Sequence, residues 1–245
     1  MITLKPTAIF PTPLLLTTLG AEAADLNRAL MRDAYIEKER GPKARRSGVE
    51  AWQSKLGMER KYASFEKLRS AIEQIAHSYL PMIGYSPELL PKIGCHNLWF
   101  NLIEDEQGFH VPHIHGKGDE LFSGAYYPTG GYDENLNEVD APDWCASEMR
   151  LGKVQPGDLI LLDPAHAAKR QVVPKGVTGF YYGTHIKIQP KQSTLVIFPN
   201  YLMHMVAPIS RKRRMSISFA IYKKNIAADQ SPDAPQGETD TYAMD

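Results

Sequence analysis

The stretch Arg214-Met215-Ser216-Ile217-Ser218-Phe219-Ala220-Ile221 alternates strictly between two kinds of side chain. Successive residues of a β-strand point to opposite faces, so Met215, Ile217, Phe219 and Ile221 share one face and Arg214, Ser216 and Ser218 the other. A strand of this pattern suits the wall of a barrel with a polar inner face. Working outward, the same β texture fills most of the chain after residue 93. Short runs rich in branched and aromatic residues lie at 95–103, 121–127, 148–153, 159–162, 179–188, 194–198, 203–209 and 215–222, divided by Gly, Pro, Asp or Asn. About eight strands of this kind predict a mainly β fold, a barrel or jelly roll.

The N-terminal third reads differently. Residues 9–19 are apolar but interrupted by Pro11 and Pro13, which suits an edge strand or an extended arm. In residues 21–40, Leu26, Leu30, Ala34 and Ile36 recur at near-helical spacing before Gly41-Pro42. A second amphipathic helix over 65–80 carries Leu68, Ile72, Ile75 and Ala76 on one stripe, with Pro81 just beyond. The expected organisation is one domain over 1–225, with a helical part at about 20–82 and a β core at about 93–225. The acidic segment 132–143 reads as an exposed loop long enough to form a lid, and 226–245 as a flexible tail.

Composition narrows the function classes. With 43% hydrophobic and 23% charged among 245 residues, the chain is an ordinary soluble globular one. Its 28 basic residues equal its 28 acidic ones, so no global charge points to nucleic acid or an anionic membrane. Cys95 and Cys145 form neither a disulfide framework nor a CxxC metal motif, and are expected as free thiols in a reducing cytoplasm. Residues 1–6 lack the charged and apolar regions of a signal peptide, and no apolar run approaches bilayer length.

The chemistry is concentrated in three places. Phe109-His110-Val111-Pro112-His113-Ile114-His115-Gly116 holds three of the eight histidines. If this segment is a strand, His113 and His115 aim at one point, a start for a metal site, and Gly116 and Gly118 let the chain turn away. Residues 194–204 run as an apolar strand into a Pro199-Asn200 turn, with His204 on the next strand. Arg214 and Ser216, two apart on the polar face, form a clamp for a carboxylate: the guanidinium gives two parallel hydrogen bonds and the hydroxyl a third. Arg211, Lys212 and Arg213 read as a solvated basic turn.

In that order, HxH, a distant strand–turn–His and Arg-x-Ser resemble the layout of the Fe(II)- and 2-oxoglutarate-dependent oxygenases, and more narrowly the bacterial "putative 2OG-Fe(II) oxygenase" group. The stretches carrying the resemblance are Asn97-Leu98-Trp99-Phe100-Asn101, His113-Ile114-His115, Leu121-Phe122-Ser123-Gly124-Ala125-Tyr126-Tyr127, Phe198-Pro199 through His204 and Arg214 through Phe219, with Trp52-Gln53-Ser54 also similar. The resemblance implies a double-stranded β-helix, a cupin-like barrel flanked by the two N-terminal helices. It implies Fe(II), 2-oxoglutarate and O2 as the reactive set, and oxidation of a substrate with release of succinate and CO2. His113 and His204 would be iron ligands. Arg214 with Ser216 would bind the distal carboxylate of 2-oxoglutarate, and Asn101 and Tyr127 are further candidates for cosubstrate contacts.

One departure stands out. The wider superfamily uses two histidines and a carboxylate, with Asp or Glu two residues after the first histidine. Here that slot holds His115. His115 would replace the carboxylate; Asp119 or Glu120 would supply it from the loop; or His110 and His113 would bind with His115 behind them, a three-residue spacing that suits a strand badly. The first reading is preferred. Two rival functions remain open at this point: a cupin-like three-histidine dioxygenase without a 2-oxoacid, and a non-catalytic barrel that binds ligands. The expected partner is a small-molecule, amino-acid or peptide substrate, with no nucleic acid and no membrane, and a homodimer is allowed for. The segments expected to set specificity are the N-terminal helices, the region of residues 45–54 and the loop at 132–143.

Overall fold

The computed structural model describes residues 11–41, 43–44, 47–104, 107–115, 119–129, 149–150, 154, 156–165, 185–189, 191–209 and 213–224. The expectations for 132–143, for 226–245 and for Arg45, Arg46, Gly116, Gly118, Cys145, Arg211 and Lys212 lie outside the described residues.

Two antiparallel sheets carry the chain. The first contains β1 (Leu15–Thr18), β3 (Ala51–Gln53), β4 (Ile93–Ile103), β6 (Glu120–Tyr127), β10 (Thr194–Pro199) and β12 (Arg214–Lys223), in the order β1-β10-β6-β12-β4-β3. The second contains β2 (Gly48–Val49), β5 (Phe109–His113), β7 (Met149–Arg150), β8 (Leu159–Leu162), β9 (His185–Ile188) and β11 (His204–Val206), in the order β2-β5-β11-β8-β9-β7. Of the N-terminal run expected as an edge strand or arm, Leu15–Thr18 forms an edge strand, β1 on β10, and Pro11 and Pro13 precede it. The helices are α1 (Ala24–Arg40), entered through a 3-10 turn at Ala21–Ala23, and α2 (Ala63–Tyr79). Beyond α2 the chain continues as a 3-10 turn, Leu80–Ile83, because Pro81 stands at its first positions, where a missing N–H costs nothing.

The alternation of β12 divides the molecule into layers. Met215, Ile217, Phe219 and Ile221 join Leu30, Phe65, Leu68 and Ile72 of the two helices in one core. The opposite face of the same sheet packs Ala125, Tyr127, Val196 and Phe198 against Leu159, Leu161, Ile188 and Val206 of the second sheet. Helices, first sheet and second sheet thus form three layers, and the site lies between the two sheets.

β4 keeps this division only through a bulge. Ser218 pairs with Trp99 but Ala220 with His96, so β4 carries one extra residue. Asn97 takes a φ of 57°, a left-handed conformation that asparagine adopts more readily than most residues. The two amides freed there, of Asn97 and Leu98, donate to the buried Glu59 carboxylate at 3.1 and 2.9 Å. Cys95 and Leu98 consequently face the helices together, while Trp99 and Asn101 turn inward.

Gly124 pairs with Phe219 across β6 and β12, and a Cβ there would collide with the Phe219 ring and the Val196 carbonyl oxygen. Gly124→Ala is therefore expected to destabilise the fold by about 1–3 kcal/mol, the usual cost of overpacking. Urea denaturation checks this, with an unchanged midpoint as the contrary result.

Candidate metal centre

His113 ends β5 and pairs directly with His204 at the start of β11. His115 lies two residues past β5 rather than within it. Its backbone N–H donates at 3.1 Å to the carbonyl of Asn200, so the Pro199-Asn200 turn, and not strand periodicity, directs it to the same point. The ring centroids of His113 and His204 are 4.2 Å apart, those of His115 and His204 5.0 Å, and those of His113 and His115 5.2 Å. One ring nitrogen from each lies within 4.8 Å of the others.

The protonation state suits a metal. Burial holds the His113 imidazole below its ordinary pKa, against the opposing pull of the Val111 carbonyl. His204 is pushed well below by burial and by its histidine neighbours. Neutral imidazoles are the ligating form. His113 Nδ1 stands 2.7 Å from the Val111 carbonyl and His204 Nδ1 2.9 Å from that of Leu202. A carbonyl only accepts, so each Nδ1 carries the proton and each Nε2 keeps its lone pair for an ion. Phe198 packs against His204, and Trp99 stacks on His115 at 5.7 Å with 23° between planes.

His110 is also drawn inward. Val206 pairs with His110 and His204 with His113, so β5 has one residue more than β11 over this span. The bulge overcomes the objection to a three-residue spacing: both rings are buried, with centroids 6.3 Å apart. His110 nevertheless stays outside the three-histidine cluster. Its Nδ1 lies 3.3 Å from the Ser47 hydroxyl, and its buried Nε2 has no hydrogen-bond partner among the described residues.

Arg214 is 1% exposed, the largest fully buried side chain of the described residues. Its Nε donates to the Gly157 carbonyl and its two terminal nitrogens to Ser216 Oγ and Tyr127 Oη, each at 3.2 Å. These partners are all neutral. A buried guanidinium whose described partners are all neutral has its charge uncompensated by any anion among them. Ser216 lies opposite Asn101. Asn101 donates to Ser218 at 2.9 Å and to Ser216 at 3.5 Å, and accepts from Gln53 at 2.6 Å. The arginine, serine, tyrosine and asparagine singled out from the sequence therefore form one hydrogen-bonded group.

Of the acidic alternatives for the third ligand, Asp119 is exposed and neither it nor Glu120 joins the cluster of ring nitrogens. Glu120 is buried behind the site, its Oε1 3.9 Å from His115 Nδ1. Burial pushes its carboxyl up to about 7, against the Ser123 hydroxyl that donates to it at 2.6 Å. The sequence assigns Trp99 no site role, and it gives Ser47 and Gln53 only a place in the 45–54 segment expected to set specificity, not a contact with His110 or Asn101. Their inward orientation depends on bulges and pairings that no local pattern encodes.

A family model described as "Putative 2OG-Fe(II) oxygenase" matches residues 97–220, just over half of the chain. No curated protein matches it. Among solved structures, a Pseudomonas putida prolyl-4-hydroxylase aligns with a TM-score of 0.54 and 15% identity, over 87% of this chain and 94% of that one. A Trichoplax adhaerens prolyl hydroxylase, in complex with a hypoxia inducible factor peptide fragment, gives 0.52 and 14%, over 89% and 87%. The epimerase SnoN, in complex with Fe3+, alpha ketoglutarate and nogalamycin RO, gives 0.56 and 10%, over 95% and 89%. At these identities the likeness is one of fold, the double-stranded β-helix built of two antiparallel sheets. The matched region contains every residue of the histidine cluster and of the Arg214 group, and the chain belongs to the 2OG-Fe(II) oxygenase family as an Fe(II)- and 2-oxoglutarate-dependent oxidoreductase.

Proposed function

We propose that His113, His115 and His204 hold the iron, that Arg214 and Ser216 bind the distal carboxylate of 2-oxoglutarate, and that the enzyme hydroxylates a small-molecule, amino-acid or peptide substrate. The observation carrying this reading is the convergence of three imidazoles beside a buried arginine whose described partners are all neutral. Tyr127 completes the carboxylate pocket with its hydroxyl, and Asn101 borders it through Ser216. The acting unit is one domain over 1–225. The substrate class is supported by neighbours whose structures carry a peptide fragment and a small molecule, and by the even balance of charge, which leaves no basic footprint for nucleic acid. A reducing cytoplasm is the proposed compartment, supported by Cys95, a buried free thiol. No described helix is long and apolar enough to cross a membrane.

The chain's own contribution is positional. The Val111 and Leu202 carbonyls fix the tautomers of His113 and His204 and present Nε2 to the metal. When bound, Fe(II) supplies the site of O2 activation that couples decarboxylation of 2-oxoglutarate, to succinate and CO2, with oxidation of the substrate. Arg214 fixes one end of the cosubstrate, so that its other end is delivered in a single orientation. The apolar wall of Phe198, Val206 and Leu161 excludes water and strengthens these polar contacts.

Purified enzyme given Fe(II), ascorbate and 2-oxoglutarate is expected to form succinate, and His204→Ala to abolish it. No succinate with any candidate substrate, together with no chelator-sensitive binding of 2-oxoglutarate, overturns the reading. Arg214→Met is expected to weaken 2-oxoglutarate binding by roughly tenfold or more, the worth of charge-assisted hydrogen bonds, with metal occupancy unchanged. The apo form of this variant should be as stable as the parent or more so, because an uncompensated buried charge has been removed. Tyr127→Phe should weaken binding by less than about tenfold, since one neutral partner is lost. Anaerobic calorimetric titration measures both affinities.

A further inference from the structure

Two of the three histidines are oriented by a common device. His113 and His204 each set Nδ1 against a backbone carbonyl, which leaves Nε2 for the metal. At His115 the group facing Nδ1 is the carboxylate of Glu120, with Oε1 3.9 Å away. We propose that Glu120 is a positioning residue for the metal centre: it accepts the Nδ1–H of His115, aims Nε2 at the iron, and returns one step outside the ligand set the negative charge that a ligating carboxylate would supply. The inference rests on the three-histidine reading above.

Four observations carry it. First, Glu120 is 5% exposed, and among the described residues no lysine or arginine pairs with it. A carboxylate is expensive to bury without a counter-charge, and a histidine polarised by a bound cation provides one. Second, the carboxylate is aimed. The Ser123 hydroxyl donates to the same Oε1 that faces His115, at 2.6 Å. Third, its backbone is tied to that of His115. Asn200 donates its side-chain amide to the Glu120 carbonyl at 2.7 Å, its N–H to the Leu121 carbonyl at 3.2 Å, and accepts the His115 N–H at 3.1 Å. One turn residue thus sets the spacing between carboxylate and imidazole. Fourth, a bulge turns Glu120 inward. Ile221 pairs with Phe122 and its neighbour Tyr222 with Glu120, so Leu121 is an extra residue and Glu120 shares the face of Ser123.

The separation of 3.9 Å is longer than a hydrogen bond, and a small rotation of the His115 ring as Nε2 takes the metal closes it. The arrangement also accounts for a histidine in the carboxylate slot. The anionic charge is displaced from the metal's own shell to its support, and the ligand set stays neutral.

The test titrates Co(II) into the full-length chain under argon, for the parent, Glu120→Gln, His115→Ala and the double variant. Glu120→Gln is expected to weaken Co(II) binding by about 10–100-fold, the usual effect of removing such a support. It should add little to the loss already present in His115→Ala, because its effect passes through that imidazole. The melting temperature of metal-free Glu120→Gln should equal or exceed that of the parent, which separates this role from one in folding. Parental affinity in Glu120→Gln, or an equal loss with and without His115, overturns the proposal while leaving the three-histidine reading standing. No Co(II) binding by the parent, or binding indifferent to both His115→Ala and His204→Ala, overturns that underlying reading instead.

Discussion

β12 must satisfy two incompatible surroundings at once, and the rest of the structure follows from how it does so. One face offers Met215, Ile217, Phe219 and Ile221 to α1 and α2, where burial of apolar surface drives the helices onto the sheet. The other offers Arg214 and Ser216 to the space between the sheets, where a guanidinium is tolerable only if its donors are used. Because the side-chain period of a strand is two, a slip of one residue would exchange these faces. Its long pairings with β4 and β6 hold the register, so helix packing and the polar pocket are specified together.

Among the described residues, three one-residue bulges depart from regular alternation, and each turns a side chain toward the space between the sheets. The bulge at Asn97 turns Trp99 and Asn101 inward. The one in β5 puts His110 beside His113, and the one at Leu121 delivers Glu120. A bulge leaves backbone groups unpaired, which is affordable where a side chain replaces the ladder, as Glu59 does for two amides. Rigid strands thereby carry the functional groups, while the irregularities choose their direction.

The electrostatics of the interior are complementary and incomplete. Among the described residues Arg214 has no anionic partner, Glu120 no lysine or arginine, and His110 Nε2 no hydrogen-bond partner. Each is a cost to folding in a medium of low dielectric constant. A dicarboxylate and a divalent cation at the proposed site would compensate the first two in one step. Under the proposed ligation, a pocket that is unfavourable for the chain alone becomes favourable for the chain with Fe(II) and 2-oxoglutarate, and that would be the thermodynamic meaning of preorganisation here.

The sequence by itself determined the two helices, most of the strands, the inward face of Arg214 and Ser216, and the candidate histidines, because these depend on local periodicity and residue chemistry. It was silent on the short β2 and β3, which form only because β5 and β4 provide edges for them. It also placed His115 in line with His113 on a strand, whereas the Asn200 carbonyl holds it beyond the strand end. The pairing of His204 with His113, the inward turn of His110 and the seat of Glu120 behind His115 were decided by tertiary structure alone. Each depends on register between segments distant in the chain, and register is fixed by the partner strand rather than by the residues that it aligns.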